Sequence, residues 1–482
     1  MSREPTMPNH YPSSTLNAPA PLANDVLNDL RASGVALSVD PLERAEHARD
    51  WWPLLIPDTA RGHVERWPGV VVTAHSTADV SATLRVANEH RIAVTAQGGR
   101  SGVVGGASPS TGAIALDLTG LSHIVDPDER SATVRVEAGV FGPELEAFLN
   151  PRGFTVGHFP QSFDLATVGG WIACRGAGQY SNRCGKIEDI VRGLTVVLAG
   201  GEVIALGGHG PRQAVGPDLT QLFVGSEGTL GVITEATLLV RSLAPSEQRA
   251  AFSFTSFSDG LEACRRTLQR DAHPAVLRLY DETESKRSYD VAGCVLIVLD
   301  EGEEGFVDAT MMIVREECRG ATVLAEALVE QWRQHRNDVS ALAPLWQRGL
   351  VVDTIEVSGP WALLPVLHAR VSTALRNLKG MMVVSVHQSH AYLDGACLYF
   401  TFAAQPSDDV TAYYRAAWDV AMEQVLALGG AISHHHGVGR NRARFVPDAL
   451  GGAFSVLEGL KDQLDPHHIL NPGVLGIGGE AW

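Results

Sequence analysis

The chain has 482 residues, 45% apolar and 19% charged, with a formal net charge of −17 when its histidines are neutral. That length and apolar content suit two or three domains with sizeable cores and exclude a chain that is disordered throughout. The acidic balance argues against non-specific binding to nucleic acid or anionic membrane, which needs basic surface, so no nucleic-acid partner is expected.

The opening stretch MSREPTMPNHYPSSTLNAPAPL has no apolar core of a secretory signal and, rich in Pro, Ser and Asn, reads as a mobile arm. Residues 1–60 are taken as this arm plus lead-in helices. From Gly69 the elements become legible. GVVVTA is a β-branched buried strand; Ser76 then caps a helix, STADVSATLRVANEH, with Val80, Leu84 and Ala87 on one face; IAVTA is the next strand. QGGRSGVVGG (97–106) holds five glycines in ten residues. The strands AIALDL and ATVRVEAG and a short helix from Gly142 follow. GLTVVLAGGEVIALG reads as a hairpin turning at Gly200-Gly201, and GVITEATLLVR closes a unit assigned to 61–242.

Beyond Pro245 glycine thins out and strands alternate with longer helices: AAFSFTS, LEACRRTLQR, AVLRLYD, VLIVLDE, DATMMIVREE, TVLAEA. A looser repeat follows: VVDTIEV, a helix from Trp361, MMVVSVH, CLYFTFAA and a long helix ending at Gly429. This order suits an open α/β layer and is assigned to 243–436. Residues 437–482, with KDQLDPHHILNPGVLG, are expected to pack back on the first unit. No apolar run approaches the roughly 18–20 residues of a membrane helix. The six cysteines form no C-x-x-C pair, which fits a reducing, cytoplasmic setting.

One glycine cluster could be an ordinary surface loop. Three more change the odds: QSFDLATVGGW (161–171), CRGAGQYSNRCG (174–185) and GSEGTLGVIT (225–234). Glycine lets backbone amides approach a ligand, and successive amides make an anion-binding concavity. There is neither a G-x-G-x-x-G nor a P-loop pattern. Four such loops at element ends suggest one long polar ligand, and a dinucleotide fits.

QGGRSGVVGG, PQSFDLATVGGW, GSEGTLGVIT and LDPHHILNPG, in this order, resemble the FAD-binding fold of the vanillyl-alcohol oxidase and p-cresol methylhydroxylase superfamily. GHFPQSFDLATVGGW, IEDIV, VLRLYD, YLDGACLYFTFA and SHHHGVG are similar to one branch of it, the alkyldihydroxyacetonephosphate synthases, which exchange an acyl chain for a fatty alcohol. The resemblance implies an α+β protein: a two-subdomain PCMH-type FAD-binding fold with an α/β cap domain over the substrate. It implies FAD contacts from Thr95, Ala96, Gln97, Gly98, Gly99, Arg100 and Ser101 at the pyrophosphate. Further contacts are implied from Gln161, Ser162, Thr167, Gly169, Gly170, Arg175, Gly176 and Ala177 along the cofactor, and from Glu227, Gly228, Thr229, Gly231, Val232 and Ile233 at the nucleotide. Arg100 stands where covalent relatives carry a flavin-linking histidine, so FAD is expected to be non-covalent. A small-molecule substrate and a homodimer are the family expectation.

Tyr399, His434, His435, His436, Arg278 and His158 match the family's catalytic positions. A phenol is a poor base unless cations lower its pKa, and neighbouring histidines are expected to do that and relay the proton. On an extended strand His434 and His436 would share one face and His435 the other. Without the resemblance Tyr399 reads as core and His158 as structural, and Arg278 could be a snorkelling or ion-paired residue. A metal site is the rival reading of the triplet, but no carboxylate or cysteine stands at ligand spacing in that stretch, and none is expected. There is one departure. Leu342 aligns where the synthases place an arginine for the substrate's anion, with Arg336 and Arg348 on either side. The headgroup, and the choice between exchange and net oxidation of a 2-hydroxy acid or alcohol, stay open on sequence grounds.

Overall fold

The structure is a computed structural model that describes residues 16–338, 343–407 and 409–479. Residues 1–15 of the expected arm, and Leu342, lie outside the described residues.

The β-branched run Val70–Thr73 is buried and forms a parallel ladder with Ile114–Asp117, which is also parallel to Val94–Gln97; the short strand Ala36–Ser38 adds an antiparallel edge. The Ser76 hydroxyl accepts from the Asp79 amide at 3.2 Å, starting the helix Thr77–His90. Such a cap is worth about 1 kcal/mol. The helix buries Val80, Leu84 and Ala87 against this sheet and against Val26, Leu27 and Leu30 of the lead-in helix Asn24–Ala32. The glycine-rich loop therefore leaves the carboxyl end of a parallel strand, where open α/β sheets place their ligands.

A second, antiparallel sheet runs Thr133–Glu137, Val232–Leu239, Val191–Val197, Val203–Gly207. Its hairpin turns at Gly201, whose φ of +87° suits glycine. Ser81 Oγ donates to the Gly201 carbonyl at 2.5 Å and thereby ties this sheet to the helix on the first.

From Ser246 the chain builds one seven-stranded antiparallel sheet rather than two repeated layers. Its order is Thr322–Leu324, Ser246–Phe254, Cys294–Gly302, Val276–Tyr280, Met381–Ala391, Gly395–Ala404, Val351–Pro360. The halves fuse where Leu279 and Tyr280 pair with Gln388 and His387. Strand alternation sorts the side chains. Leu277, Leu279, Ile355, Val357, Val386, Leu398, Phe400 and Phe402 enter one large core with Leu261, Met311, Leu367 and Trp418 of the covering helices. The alternate residues Arg278, Thr354, Glu356, His387, Cys397 and Tyr399 are left to the other face. A register shift between Gln388 and Ala391 brings His390 to that face as well.

The last segment returns to the first unit. Leu470 bridges Val94 in parallel, and Asn471 donates to the Gly106 and Glu227 carbonyls. Lys461, 1% exposed, donates to the Thr229 and Leu470 carbonyls and pairs with Asp465 at 2.6 Å. Among the described residues no helix is long and apolar enough to cross a membrane, and all six cysteines are free thiols.

Candidate active site

The four glycine-bearing loops converge. A Cβ on Gly98 would lie 2.1 Å from Thr167 Oγ1, and one on Gly99 only 1.7 Å from the Leu165 carbonyl, so the 97–106 and 161–170 loops are pressed together in a way only glycine allows. Gly169 packs on Ala138, Gly225 on Arg175, and Gly106 against the Glu227 carboxylate. Arg100 sits at φ +52°. Among the described residues, the amides of Gly98, Gly99, Arg100 and Ser101 have no hydrogen-bond partner within the protein. Four unpaired consecutive amides with a left-handed residue among them suit the pyrophosphate of a dinucleotide, so the residues present fit such a group.

Several side chains expected at the cofactor are committed elsewhere. Gln97 donates to the His47 and Ala107 carbonyls, and the Arg100 guanidinium lies 2.7 Å from His47 Nδ1. Thr95 bonds Asn471, Thr229 bonds the Ser226 carbonyl, and Val232 and Ile233 are core residues. Thr167 caps the helix Val168–Ala173, while Gly170 and Gln161 are exposed. Ser162 turns the loop by accepting the Leu165 and Ala166 amides on its carbonyl. Ala96, Gly176, Ala177, Gly228 and Gly231 sit in the packed walls between these loops. Glu227, at φ +48°, turns its carboxylate to the Val438 and Gly439 amides at 2.6 and 2.8 Å. Burial lifts its pKa to about 7 against the pull of those two amides. Glu227 thus joins the first unit to the loop carrying the histidines.

On the open face of the seven-stranded sheet the Tyr399 ring stacks on His387 at 4.7 Å and meets His436 edge-on at 5.4 Å and His435 at 6.1 Å. Its hydroxyl donates to Thr354 Oγ1 at 3.0 Å. Arg278 Nη2 donates to His387 Nε2 at 2.6 Å. A guanidinium cannot accept, so the His387 proton lies on Nδ1 and points to Glu284 Oε1 at 3.1 Å. The result is a fixed chain from Glu284 through His387 to Arg278 beside the phenol.

The triplet does not follow the alternation expected of a strand. Ser433 Oγ, the His434 and His436 amides and Arg442 Nη1 all donate to the fully buried Glu356 carboxylate, curling the segment around it. Consecutive rings consequently touch, with centroids 5.2 Å apart for His434–His435 and 4.6 Å for His435–His436. The electrostatic expectation is also corrected. Burial drives His434 and His436 down to about 4 and His435 well below its ordinary value, so all three are neutral at pH 7. Burial likewise raises the Tyr399 phenol, with Arg278 opposing only in part. Neutral imidazoles cannot activate a phenol as imidazolium would; they can accept a proton, though values near 4 make His434 and His436 weak bases.

His158 stands apart from this group. Its ring tilts on Trp171 at 4.8 Å, both nitrogens are buried without partners, and burial lowers its pKa to about 3. As for metals, His390, Cys397, His434 and His435 each offer a donor atom, all within 4.8 Å of one another. This soft nitrogen and sulfur set suits Zn²⁺ better than Mg²⁺. The sequence reading missed it because His390 and Cys397 sit on the two strands of a hairpin. It also missed His387, Glu284, Glu356 and Arg442. The H-x-x-H of His387 and His390, one strand before Tyr399, was the available signal.

The chain is similar to known FAD-linked proteins. The family model described as FAD binding domain matches residues 68–207, and the one for FAD linked oxidases, C-terminal domain, matches residues 243–475. The chain is 30% identical over 433 residues to the uncharacterized FAD-linked oxidoreductase YgcU of Escherichia coli (strain K12), covering 85% of this chain and 89% of YgcU. It is 28% identical over 451 residues to alkyldihydroxyacetonephosphate synthase of Dictyostelium discoideum, covering 85% and 74% of the two chains. A solved structure of alkyldihydroxyacetonephosphate synthase superposes with a TM-score of 0.81 at 25% identity, covering 97% of this chain and 90% of the other.

Proposed function

Since the chain belongs to the FAD-linked oxidoreductase family, with an FAD-binding domain followed by an FAD linked oxidase C-terminal domain, we propose that it is a non-covalent flavoenzyme acting on a small oxygenated substrate with synthase-like chemistry. The observation that carries this reading is the packing of Tyr399 among His387, His435 and His436, beside Arg278, on the sheet face that Glu227 links to the glycine loops.

FAD would lie along the 97–106, 161–177 and 225–233 loops and supply an electron sink and a reactive ring nitrogen. Arg278, held by His387, presents a permanent cation to a substrate oxygen. The imidazoles of His434, His435 and His436, neutral at pH 7, take up the proton that the reacting carbon or hydroxyl releases. Tyr399, kept protonated by burial, acts not as a base but as a hydrogen-bond donor, turning its hydroxyl from Thr354 Oγ1 to a developing oxyanion. His158, packed against Trp171 and close to Gly176 and Gly178, would help wall the groove that holds the cofactor. Similarity to the synthase, on which the chain superposes over nearly its whole length, supports exchange without net redox change.

A second reading is net oxidation of a 2-hydroxy acid or alcohol; the likeness to YgcU, named as an FAD-linked oxidoreductase, supports the oxidation and not the choice of substrate. Anaerobic mixing separates the two. With ketone phosphates, hydroxy acids and alcohols offered in turn, exchange leaves the flavin yellow at the end of turnover, whereas oxidation leaves it bleached. If no substrate of either class turns over, and Tyr399→Phe alters nothing measurable, the proposal is refuted.

A further inference from the structure

We propose that Trp52, Tyr414 and Asp353 are positioning residues that set the glycine-rich loop 97–106 against the strand carrying Thr354, and so place the cofactor relative to the Tyr399 hydroxyl. Their bearing on the cofactor rests on the flavoenzyme reading above. Trp52 precedes both matched family domains, which begin at residues 68 and 243. Its own stretch is nonetheless bound into the glycine-rich loop. The Trp51 amide donates to the Gly102 carbonyl at 2.8 Å, and Asp50 accepts the Trp52 amide at 3.0 Å and the Ala107 amide at 3.3 Å. A Cβ on Gly105, at φ +78°, would lie 2.7 Å from the Trp52 ring, so the indole is seated directly on that glycine.

From there one hydrogen-bonded chain crosses to the seven-stranded sheet. Trp52 Nε1 can only donate, and it donates to the Tyr414 hydroxyl oxygen at 2.9 Å. Asn441 Nδ2 donates to the same oxygen at 3.3 Å, while the Asn441 amide donates to the Val104 carbonyl of the glycine-rich loop at 3.0 Å. With both lone pairs engaged, the Tyr414 hydroxyl donates onward to Asp353 Oδ2 at 2.5 Å. Trp418 Nε1 donates to that carboxylate oxygen at 3.1 Å, and Asp353 Oδ1 accepts the Thr354 amide at 2.7 Å. Thr354 Oγ1 in turn receives the Tyr399 hydroxyl. Trp52, Tyr414, Trp418, Asp353 and Asn441 are all buried, so bulk water does not stand in for a lost member.

Two features set this chain apart from ordinary packing. Val351–Pro360 is the outermost strand of its sheet, laddered on one side to Gly395–Ala404. An edge strand has a free side to secure. Here Asp353 secures it to Tyr414 and Trp418 of the helix Val410–Ala427, one residue from the threonine that receives Tyr399. The second feature is convergence: the lead-in stretch, the 440–442 loop and this edge strand all meet at the single Tyr414 oxygen. A glycine-rich loop that shifts and carries Trp52 with it either leaves a buried indole N–H unsatisfied or takes Tyr414 along. Loop and strand therefore move together. Trp52 acts through Gly105 and Asp353 acts through Thr354, so both position groups and neither reacts.

The test combines hydrogen exchange with FAD retention in the holoprotein, Trp52→Phe, Tyr414→Phe and the double variant. Trp52→Phe removes the N–H donor and keeps an aromatic ring over Gly105. Exchange should quicken about threefold to tenfold in peptides covering both 102–107 and 351–356, while peptides covering 191–197 and 232–239 keep wild-type rates. The Kd for FAD should rise about threefold or more. The visible circular dichroism of the FAD still bound should change shape, because it reports how the ring sits against the chain. Tyr414→Phe should act in the same direction, and it decides by the same peptides if Trp52→Phe does not fold. The double variant should exceed the larger single effect by no more than about twofold, because both substitutions delete one shared bond. Exchange that is unchanged, that quickens in only one of 102–107 and 351–356, or that rises equally in all four peptides overturns the assignment. So do single effects that multiply in the double variant, or a flavin-loaded variant whose Kd and circular dichroism match the wild type. A wild-type protein that holds no FAD would instead overturn the flavoenzyme reading, and the exchange comparison would still decide whether loop and strand are coupled.

Discussion

Replacing Glu356 by Gln probes the centre of the site. Glu356 and Arg442 are both 0% exposed and 2.9 Å apart, and the carboxylate also receives Ser433 Oγ at 2.9 Å, the His436 amide at 2.8 Å and the His434 amide. Arg442 keeps the Ile432 and Glu356 carbonyls and lies 4.9 Å from the Trp418 ring centroid, but among the described residues Glu356 is the one carboxylate within ion-pair distance of it. An amide there places a donor where at least one of the three incoming N–H groups needs an acceptor. Breaking a buried ion pair on one side costs about 3–5 kcal/mol, and an unsatisfied buried amide about 1–3 kcal/mol. The two overlap, so roughly 4 kcal/mol is expected in all. At about 2–4 °C per kcal/mol for a unit of this size, the apparent Tm should fall by roughly 8–16 °C. Circular dichroism melts of both proteins at pH 7 measure this; a fall below about 3 °C would refute the claim that this carboxylate organises the histidine loop.

The pH dependence supplies an internal check. Burial pushes Glu356 up, but Arg442 and the neighbouring histidines and amides hold it below the ordinary carboxylate value. Its folded pKa is thus below its unfolded one. The stability it contributes is present above about pH 4.5 and is lost as pH falls through the folded value. The difference in Tm between wild type and Glu356→Gln should consequently shrink only in acid.

Three other outcomes are expected. Gly99→Ala sets a Cβ against the Leu165 carbonyl and should weaken FAD binding about tenfold or more, read as flavin released on dilution. Glu227, lifted by burial to about 7 against 4.5 for a free side chain, stabilises in its neutral form and loses that contribution as pH rises through 7; Glu227→Gln should flatten the fall of Tm between pH 5 and 8, even if its overall Tm is lower. Because His434 and His436 lie near 4, kcat/KM for whichever substrate is found should be level from pH 6 to 9 and drop only below about pH 5, whereas a limb near 6.5 would contradict neutral-imidazole catalysis.

What could be read in the sequence was whatever depends on near neighbours. Ser76 and Asp79, three residues apart, mark the helix start they form, and Gly200-Gly201 marks the hairpin turn. The glycine loops were legible because glycine is needed wherever backbones press together, as Gly98 and Gly99 do on the 165–167 stretch. The fusion of two strand sets into one sheet was not legible, since it depends on Val276–Tyr280 finding Met381–Ala391 about a hundred residues away. Glu284, Glu356 and Arg442 were invisible for the same reason. Each looks like an ordinary charged residue until His387, 103 positions from Glu284, or the 433–442 loop meets it.

The histidine triplet shows how far such hidden partners decide chemistry. Read alone, three imidazoles beside a tyrosine suggest a cationic nest that lowers the phenol. Folded around a buried carboxylate, the same residues are desolvated, and desolvation outweighs the single charge of Glu356 for both His434 and His436. The negative charge that might have held protons on the rings is largely neutralised by Arg442 and the backbone amides. The site therefore keeps its positive charge on Arg278, which burial cannot deprotonate, and its basicity on the imidazoles. A cation and neutral imidazoles are thus separate side chains at one site, the separation that the proposed proton transfer would use.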